Sequence, residues 1–290
     1  MNLIVRQKQF MKTTMTFKIV QTNEATIDIL NSIEEAFGEF DRIVKKYTRF
    51  DENSELSNLN RNSGNWTQIS EEFFNLIEYM LDLAEKTNGA FDPTVIDFLE
   101  IYGYDPNYDF SKLDNPELNK IVKKQTKERK SFRDIKLDKD NNRVKLARGQ
   151  RIDLGGVGKG YAIDCAYSKL NNIKNFLIDA GGDIRVKGRN EKGELWKISL
   201  RHEDSEGKVV DFGEVELDNR ALACSGSWAR KVKQFHHIIN PKTGKPENRL
   251  KTVYVEADTG IVSDSWATAL FVGGEEVLKN APKDLKYFYL

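Results

Sequence analysis

The chain has little of what marks the more specialised protein classes. Its 290 residues contain only two cysteines, Cys165 and Cys224, and no CxxC pair. That excludes a dithiol redox motif and a cysteine-based zinc site, and leaves reduced, buried thiols as the plain expectation. Histidines are three, His202, His236 and His237, too few for a zinc centre of nitrogen and sulfur ligands. No stretch approaches the roughly 18 apolar residues that a membrane-crossing helix needs. The opening "MNLIVRQKQFMKTTMTFKIV" lacks an apolar signal core, a lipobox-like cysteine and a small-residue cleavage site, so a cytoplasmic protein without a membrane anchor is expected. A charge excess is missing too, because Lys+Arg and Asp+Glu balance at 45 each. Such a chain has no broad basic face for nucleic acid, and any basic site must be local.

What is present is an ordinary globular composition, long enough for one large core. A strand is expected at 13–20. The run "EATIDILNSIEEAFGEFDRIVKKYTRF" then places Ile27, Leu30, Ile33, Phe37, Phe40, Ile43 and Tyr47 at spacings of three and four, one apolar helix face. A second helix is expected from Glu71 to Lys86, with Ser70 as its cap and Gly89 at its stop. Residues 104–131, dense in Asn, Lys and Asp, read as a variable surface excursion with one short helix after Pro116. Beyond 132 the pattern alternates: "IKLDKDNNRVKLARG" and "NFLIDAGGDIRVKG" read as hairpins, "LWKISLRH" and "GEVELDNRALACSG" as further strands. Helices first and strands later suggest an α+β fold, with helices packed on largely antiparallel sheets in a single domain over residues 1–290.

Four segments carry more polar and glycine residues than a plain core requires. "RIDLGGVGKGYAID" sets four glycines around Lys159 between a strand-like and a helix-like run. Glycine lets a backbone approach an anion, and a helix start offers unpaired N–H groups, so phosphate is the natural guest. Neither the P-loop nor the dinucleotide fingerprint fits the spacing. In "SDSWATALFVGG", Ser263 reads as a helix cap, Asp264 falls in the first turn, and Thr268 lies one turn further on the same face. Asp264 and Thr268, with a backbone carbonyl of the glycine loop, make a sensible oxygen donor set for Mg²⁺; a plain cap is the alternative. "HHIINPKTGKP" reads as a strand with His237 and Ile239 on one face and His236 and Ile238 on the other, for which a structural histidine is the simpler account. In "GAFDPTV", Asp92 could do no more than open a turn before Pro93.

Taken in order, these segments resemble the ApbE-like FAD:protein FMN transferase family, from about Lys12 to about Gly274. Seven blocks carry the likeness: "YTRFDENSELSNLN", "NGAFDPTV", "IDLGGVGKGYAID", "DAGGDIRVKG", "ALACSGSWAR", "HIINPKTGKP" and "SDSWATALFV". The resemblance implies a T-fold-like architecture and an enzyme that moves FMN from FAD, with Mg²⁺, onto a Ser or Thr of an acceptor flavoprotein, releasing AMP. It implies a metal held by the Gly156 carbonyl, Asp264, Thr268 and the Ala267 backbone, and FAD lined by Phe50, Ala90, Phe91, Asp92, Asp153, Lys159 and His237. Lys159 and Asp264 would serve the chemistry with His237. Three positions depart from the family pattern: Lys12 stands for a small residue, Asn240 for Asp, and Gly158 for a common Ala. The rival readings are a Mg²⁺-dependent FAD pyrophosphatase and a non-catalytic FAD-binding protein.

Overall fold

The computed structural model describes residues 2–228 and 230–290, so Ala229 of the "ALACSGSWAR" block lies outside the described residues. In chain order the chain opens with β1 (Asn2–Phe10), β2 (Thr13–Gln21), α1 (Thr26–Tyr47), α2 (Glu55–Arg61), β3 (Thr67–Gln68) and α3 (Glu71–Lys86). Next come α4 (Ile96–Ile101), α5 (Leu118–Glu128), β4 (Lys136–Asp138), β5 (Arg143–Lys145) and α6 (Gly158–Lys169). The remainder is β6 (Phe176–Ala180), β7 (Ile184–Lys187), β8 (Trp196–Glu203), β9 (Val209–Leu217), β10 (Ala221–Gly226), β11 (Ile239–Asn240), β12 (Lys245–Pro246), β13 (Thr252–Ala257), α7 (Gly260–Gly273) and β14 (Lys286–Tyr289). Seven of the strands form one sheet in the order β1-β2-β6-β7-β10-β13-β14, and every neighbouring pair is antiparallel.

Alternation along these strands decides what each face buries. Met15, Phe17 and Ile19 of β2, Phe176 and Ile178 of β6, and Val253 and Val255 of β13 join α1, α6 and α7 in the main core. Their neighbours Val20, Leu177, Ile184, Val186, Leu222 and Tyr254 point the other way, where the β8–β9 hairpin covers them with Trp196, Leu200, Val215 and Leu217. The helices thus lie on one face only, the α+β arrangement that the sequence pattern suggests.

Helix α3 is capped by Ser70, whose side chain accepts from Phe73 N, and its start and end fall where the sequence places them. In α1 the expected apolar stripe holds except at its first member: Ile27 is 63% exposed, and Ile29 is buried in its place. The cause is helical geometry: Ile29 lies one and two turns before the buried Ile33 and Phe37, whereas Ile27, two residues before Ile29, falls on the opposite face. Residues 104–131 contain α5 and a small core of their own, in which Tyr104, Leu113, Leu118 and Val122 pack with Phe98, Leu99 and Ile239. Both cysteines are unbridged, and each is part-buried. Among the described residues no helix is long and apolar enough to cross a membrane.

Candidate active site

The glycine loop enters helix α6 where α6 crosses α7, and two glycines make that crossing possible. A Cβ on Gly160 would lie 2.2 Å from the Gly260 carbonyl oxygen, and one on Gly260 would lie 2.6 Å from that of Gly160. The backbones therefore touch, and no other residue fits at either point. Arg151–Leu154, expected as the end of a strand, pairs with no sheet. Asn60 holds it from the side, accepting from Ile152 N at 2.9 Å and donating to Ile152 O at 3.0 Å.

Helix α7 begins at Gly260, one turn earlier than its sequence suggests, so Ser263 is an interior residue and not the cap. The cap comes from another helix. Asp164 of α6 accepts from Gly260 N at 2.7 Å and Ile261 N at 2.9 Å, and pairs with Arg185 of β7. A carboxylate at a helix N-terminus also favours the dipole. Asp264 consequently sits in the second turn, 4% exposed, facing α6.

Asp264 Oδ2 accepts from Gly160 N at 2.9 Å. In an unbroken helix that N–H would bond the Gly156 carbonyl, so Gly156 stands outside the α6 ladder with its acceptor released. A Cβ on Gly156 would be 3.4 Å from Thr268 Oγ1 and 3.0 Å from the Phe91 ring. Thr268 also meets Ser225 of β10, Oγ to Oγ1, at 3.4 Å. Gly156, Phe91, Asp264 and Thr268 thereby lie together, and Ala267, the residue before Thr268 in α7, is fully buried. Among the described residues no three His, Cys, Asp or Glu side chains gather as a metal centre. The set is instead one carboxylate, a hydroxyl and a released carbonyl, all hard oxygen donors. That fits Mg²⁺, which takes few protein ligands and completes its shell with water and phosphate.

Lys159 is closed into an ion pair with Asp183, at the turn between β6 and β7. Burial opposes the Lys159 charge, but Asp183 and then Asp264 outweigh it and hold the ammonium above the ordinary lysine range. Burial pushes the Asp264 carboxyl up to about 6; Lys159 opposes that rise and Asp183 adds to it. Sequence reasoning treats Lys159 as a cation free for phosphate and assigns Asp183 no role. The Gly-Gly-Asp turn is visible in sequence, but the pairing of two segments 24 residues apart is not.

Other predicted residues are distributed unequally. Asp92 is buried and fully engaged: Oδ1 accepts from Thr94 N and Oγ1, and Oδ2 pairs with Arg129 at 2.6 Å. Arg129 also donates to Pro241 O at 3.0 Å, so Asp92 ties "GAFDPTV" and the end of α5 to the Asn-Pro-Lys-Thr-Gly turn. Ala90 faces the far end of α7, where a Cβ on Gly273 would come within 2.9 Å of it. Asp153 closes its own turn through Gly155 N at 2.7 Å and lies 3.8 Å from Arg49. Arg49 covers the ring of Phe50, itself 47% exposed, and donates to Tyr104 O. Tyr104 in turn stands 6.2 Å from the His237 ring, and Tyr108 carries the Lys12 ammonium on its face at 3.3 Å.

The strand expected through the two histidines is confined to Ile239–Asn240, with a bend at His237. The alternation fails for that reason: His236, Ile238 and Ile239 are all buried. His236 is a core residue, edge-on to Phe271, accepting from Ile238 N, and burial lowers its pKa. His237 faces the aromatic rim beside Tyr104.

Comparison with known proteins gives this geometry a family. The model of the ApbE family matches residues 11–288. The FAD:protein FMN transferase of Haemophilus influenzae is 30% identical over 97% of this chain and 84% of its own length. That of Escherichia coli K12 is 26% identical over 73% of this chain; the match spans 62% of that relative, less than two thirds of its length. Among solved structures, the ApbE protein of Thermotoga maritima superposes with a TM-score of 0.84 at 28% identity, covering 96% of this chain and 90% of that one. A flavin transferase ApbE from Vibrio cholerae, 22% identical, shares the fold with a TM-score of 0.85 over 99% of this chain and 93% of its own. With a matching family model along nearly its whole length and a curated relative 30% identical over 97% of it, the chain belongs to the ApbE family.

Proposed function

We propose that this protein transfers FMN from FAD to a Ser or Thr hydroxyl of an acceptor protein and releases AMP, acting as one domain over residues 1–290. The observation that carries the reading is the α6–α7 crossing, where an ammonium, a buried carboxylate and a released glycine carbonyl lie together. This is the equipment for a pyrophosphate bridged by a hard cation, and the reading is supported by relatives named for that reaction, one of them 30% identical over 97% of this chain. Asp264, Thr268 and the carbonyls of Gly156 and Ala267 would hold Mg²⁺, which supplies charge neutralisation at the phosphates when bound.

In the proposed reaction the acceptor oxygen attacks the phosphorus on the FMN side. The bond from that phosphorus to the bridging oxygen breaks, and AMP leaves with the electron pair. Lys159 neutralises negative charge as it gathers on the leaving phosphate. His237 orients the hydroxyl and takes its proton, while Phe91, Phe50 and the neighbouring tyrosines offer apolar surface to the flavin. Asp92 acts one step back, keeping Phe91 and the 240–244 turn in register through Arg129.

The test is to supply purified protein with FAD, Mg²⁺ and a Thr-containing acceptor peptide, and follow AMP and the mass of the peptide. Slow AMP release with FAD alone, a sharp rise with the peptide, and one flavin per AMP are expected, because an oriented hydroxyl outcompetes water. A Thr→Ala peptide should return the rate to baseline. Acceptor-independent release of AMP and FMN would replace this reading with a pyrophosphatase, and tight FAD binding without AMP would replace it with a storage protein.

A further inference from the structure

We propose that Asp183 is a positioning residue for the transfer: it holds the Lys159 ammonium by one of its N–H donors, so that the remaining donors are presented in a fixed direction to the substrate pyrophosphate. The inference rests on the flavin transfer proposed above and adds to it a residue that touches neither flavin nor metal.

Three features make Asp183 a rigid holder. It is 2% exposed, and besides Lys159 its carboxylate accepts from the Cys224 N–H of β10 at 3.2 Å. Its turn is closed by Ala180 N to Asp183 O at 2.8 Å and by Gly182 N to Asp179 Oδ1 at 2.8 Å. That turn also abuts the β1–β2 hairpin: Gly181 has φ +71°, and a Cβ there would lie 2.3 Å from Thr13 Oγ1. A carboxylate this enclosed cannot follow a lysine that swings away, and leaving it buried without its cation is costly. Lysine has three donors, so it can keep Asp183 and still bond phosphate oxygens.

The charges around Lys159 make the idea testable. Asp183 and Asp264 both interact electrostatically with it, so two carboxylates face one ammonium. When both are ionised, this cluster carries net negative charge and repels a pyrophosphate until a divalent cation is present. Asp183 therefore has opposite effects on two observables. It weakens FAD binding in the absence of metal, and it raises turnover in its presence.

The decisive variant is Asp183→Asn, which keeps the shape and the acceptor for Cys224 N–H. Two measurements are compared with wild type: FAD affinity by flavin fluorescence with no divalent cation added, and kcat and KM for FAD with Mg²⁺ and a Thr-containing peptide. Metal-free FAD binding at least as tight as wild type is expected, together with a kcat lower by about 10- to 100-fold at little-changed KM. Adding Asp183→Asn to Lys159→Ala should cost nothing further, since Asp183 acts through Lys159. Wild-type kcat, additive losses in the double variant, or weaker metal-free binding with a collapsed thermal midpoint would each overturn the proposal. If wild type itself transfers no flavin, the transferase reading fails instead, and the metal-free binding comparison still decides the role of Asp183.

Discussion

Helices α1 and α7 lie on the same face of the same sheet but are built on opposite plans. Along α1, Ile29, Ile33, Ala36, Phe37, Phe40, Ile43 and Tyr47 bury one side, and charged residues occupy the other. Along α7 nearly everything is buried, including Ser263, Asp264 and Ser265 among Trp266, Ala267, Leu270 and Phe271. An apolar stripe needs only a surface to cover it. A buried polar group needs a named partner, and each one in α7 has it: Ser263 bonds Gly260 O, Ser265 meets the Tyr79 hydroxyl, and Asp264 takes Gly160 N. Helix α1 therefore contributes stability, and α7 holds the buried polar groups of the proposed site at a cost in stability.

Breaking each helix at its most typical residue should separate those contributions. Asp264→Ala is expected to lower flavin transfer by on the order of 100-fold or more and to remove its dependence on Mg²⁺, because it deletes the one carboxylate of the donor set. The thermal midpoint should hold or rise, since a strained buried charge is removed. Phe40→Ala, where a fully buried ring packs against Phe10 and Phe17, should cost about 3–5 kcal/mol while leaving the activity of each folded molecule near wild type. Matched denaturation curves and kinetics check both. Wild-type turnover in Asp264→Ala would end the assignment of α7 as the chemical helix.

Gly160→Ala attacks both contributions at once. The new methyl would meet backbone, not a flexible side chain, at 2.2 Å, so α6 and α7 must part. A loss of about 3 kcal/mol, the upper end for overpacking, is expected together with a fall in FAD affinity, readable by denaturant titration and flavin fluorescence. An unchanged affinity would mean that the crossing does not shape the site.

The two plans also respond to pH with opposite signs. Asp264 has its folded pKa raised from 3.8 to about 6, so between those values the folded state binds more protons than the unfolded one. Its contribution to stability therefore falls as pH rises through that window, by about 3 kcal/mol at most. Between α3 and α1 the sign reverses. Burial pushes Glu72 up, but hydrogen bonds from Arg42, Lys46 and Tyr161 outweigh it and bring it down to about 2. That stabilisation is complete above the normal glutamate range and is lost as pH falls toward 2. Subtracting the Asp264→Asn stability profile from the wild-type profile should isolate the first slope, and Glu72→Gln the second. A flat difference for Asp264→Asn would refute its raised pKa.

The same contrast explains what the sequence makes legible. Period and cap are local signals, so α3 and its Ser70 cap stand out, and α1 is off only in Ile27. Of the four flagged segments, the glycine loop and the Asp264–Thr268 run meet at the α6–α7 crossing, with Phe91 of "GAFDPTV" beside Gly156, while the histidine segment lies at the aromatic rim. The start of α7 is misplaced because its cap, Asp164, is contributed from 96 residues away. Asp183 is overlooked for the same reason, since its meaning lies in Lys159. Conversely, Asp92 and Ala90 fall in a telling block, yet their contacts are with Arg129 and with Gly273. Motif membership marks a neighbourhood; which atoms face the substrate depends on long-range packing that no local pattern encodes.

The smallest effect sharpens the comparison furthest, because it uses the same substitution as Gly160→Ala on the other kind of helix. Gly38 lies exposed in the interior of α1, and a Cβ there meets nothing within 4 Å. Its φ is not positive, so alanine adopts the native backbone without strain. Alanine also restricts the unfolded chain and has the higher helix propensity, which together favour folding by about 0.5–1 kcal/mol. For a domain of this size that corresponds to a rise in thermal midpoint of about 2 °C, with unchanged transfer kinetics. A drop in the midpoint would show that α1 is engaged on its outer face as well, and the contrast with α7 would then have to be redrawn.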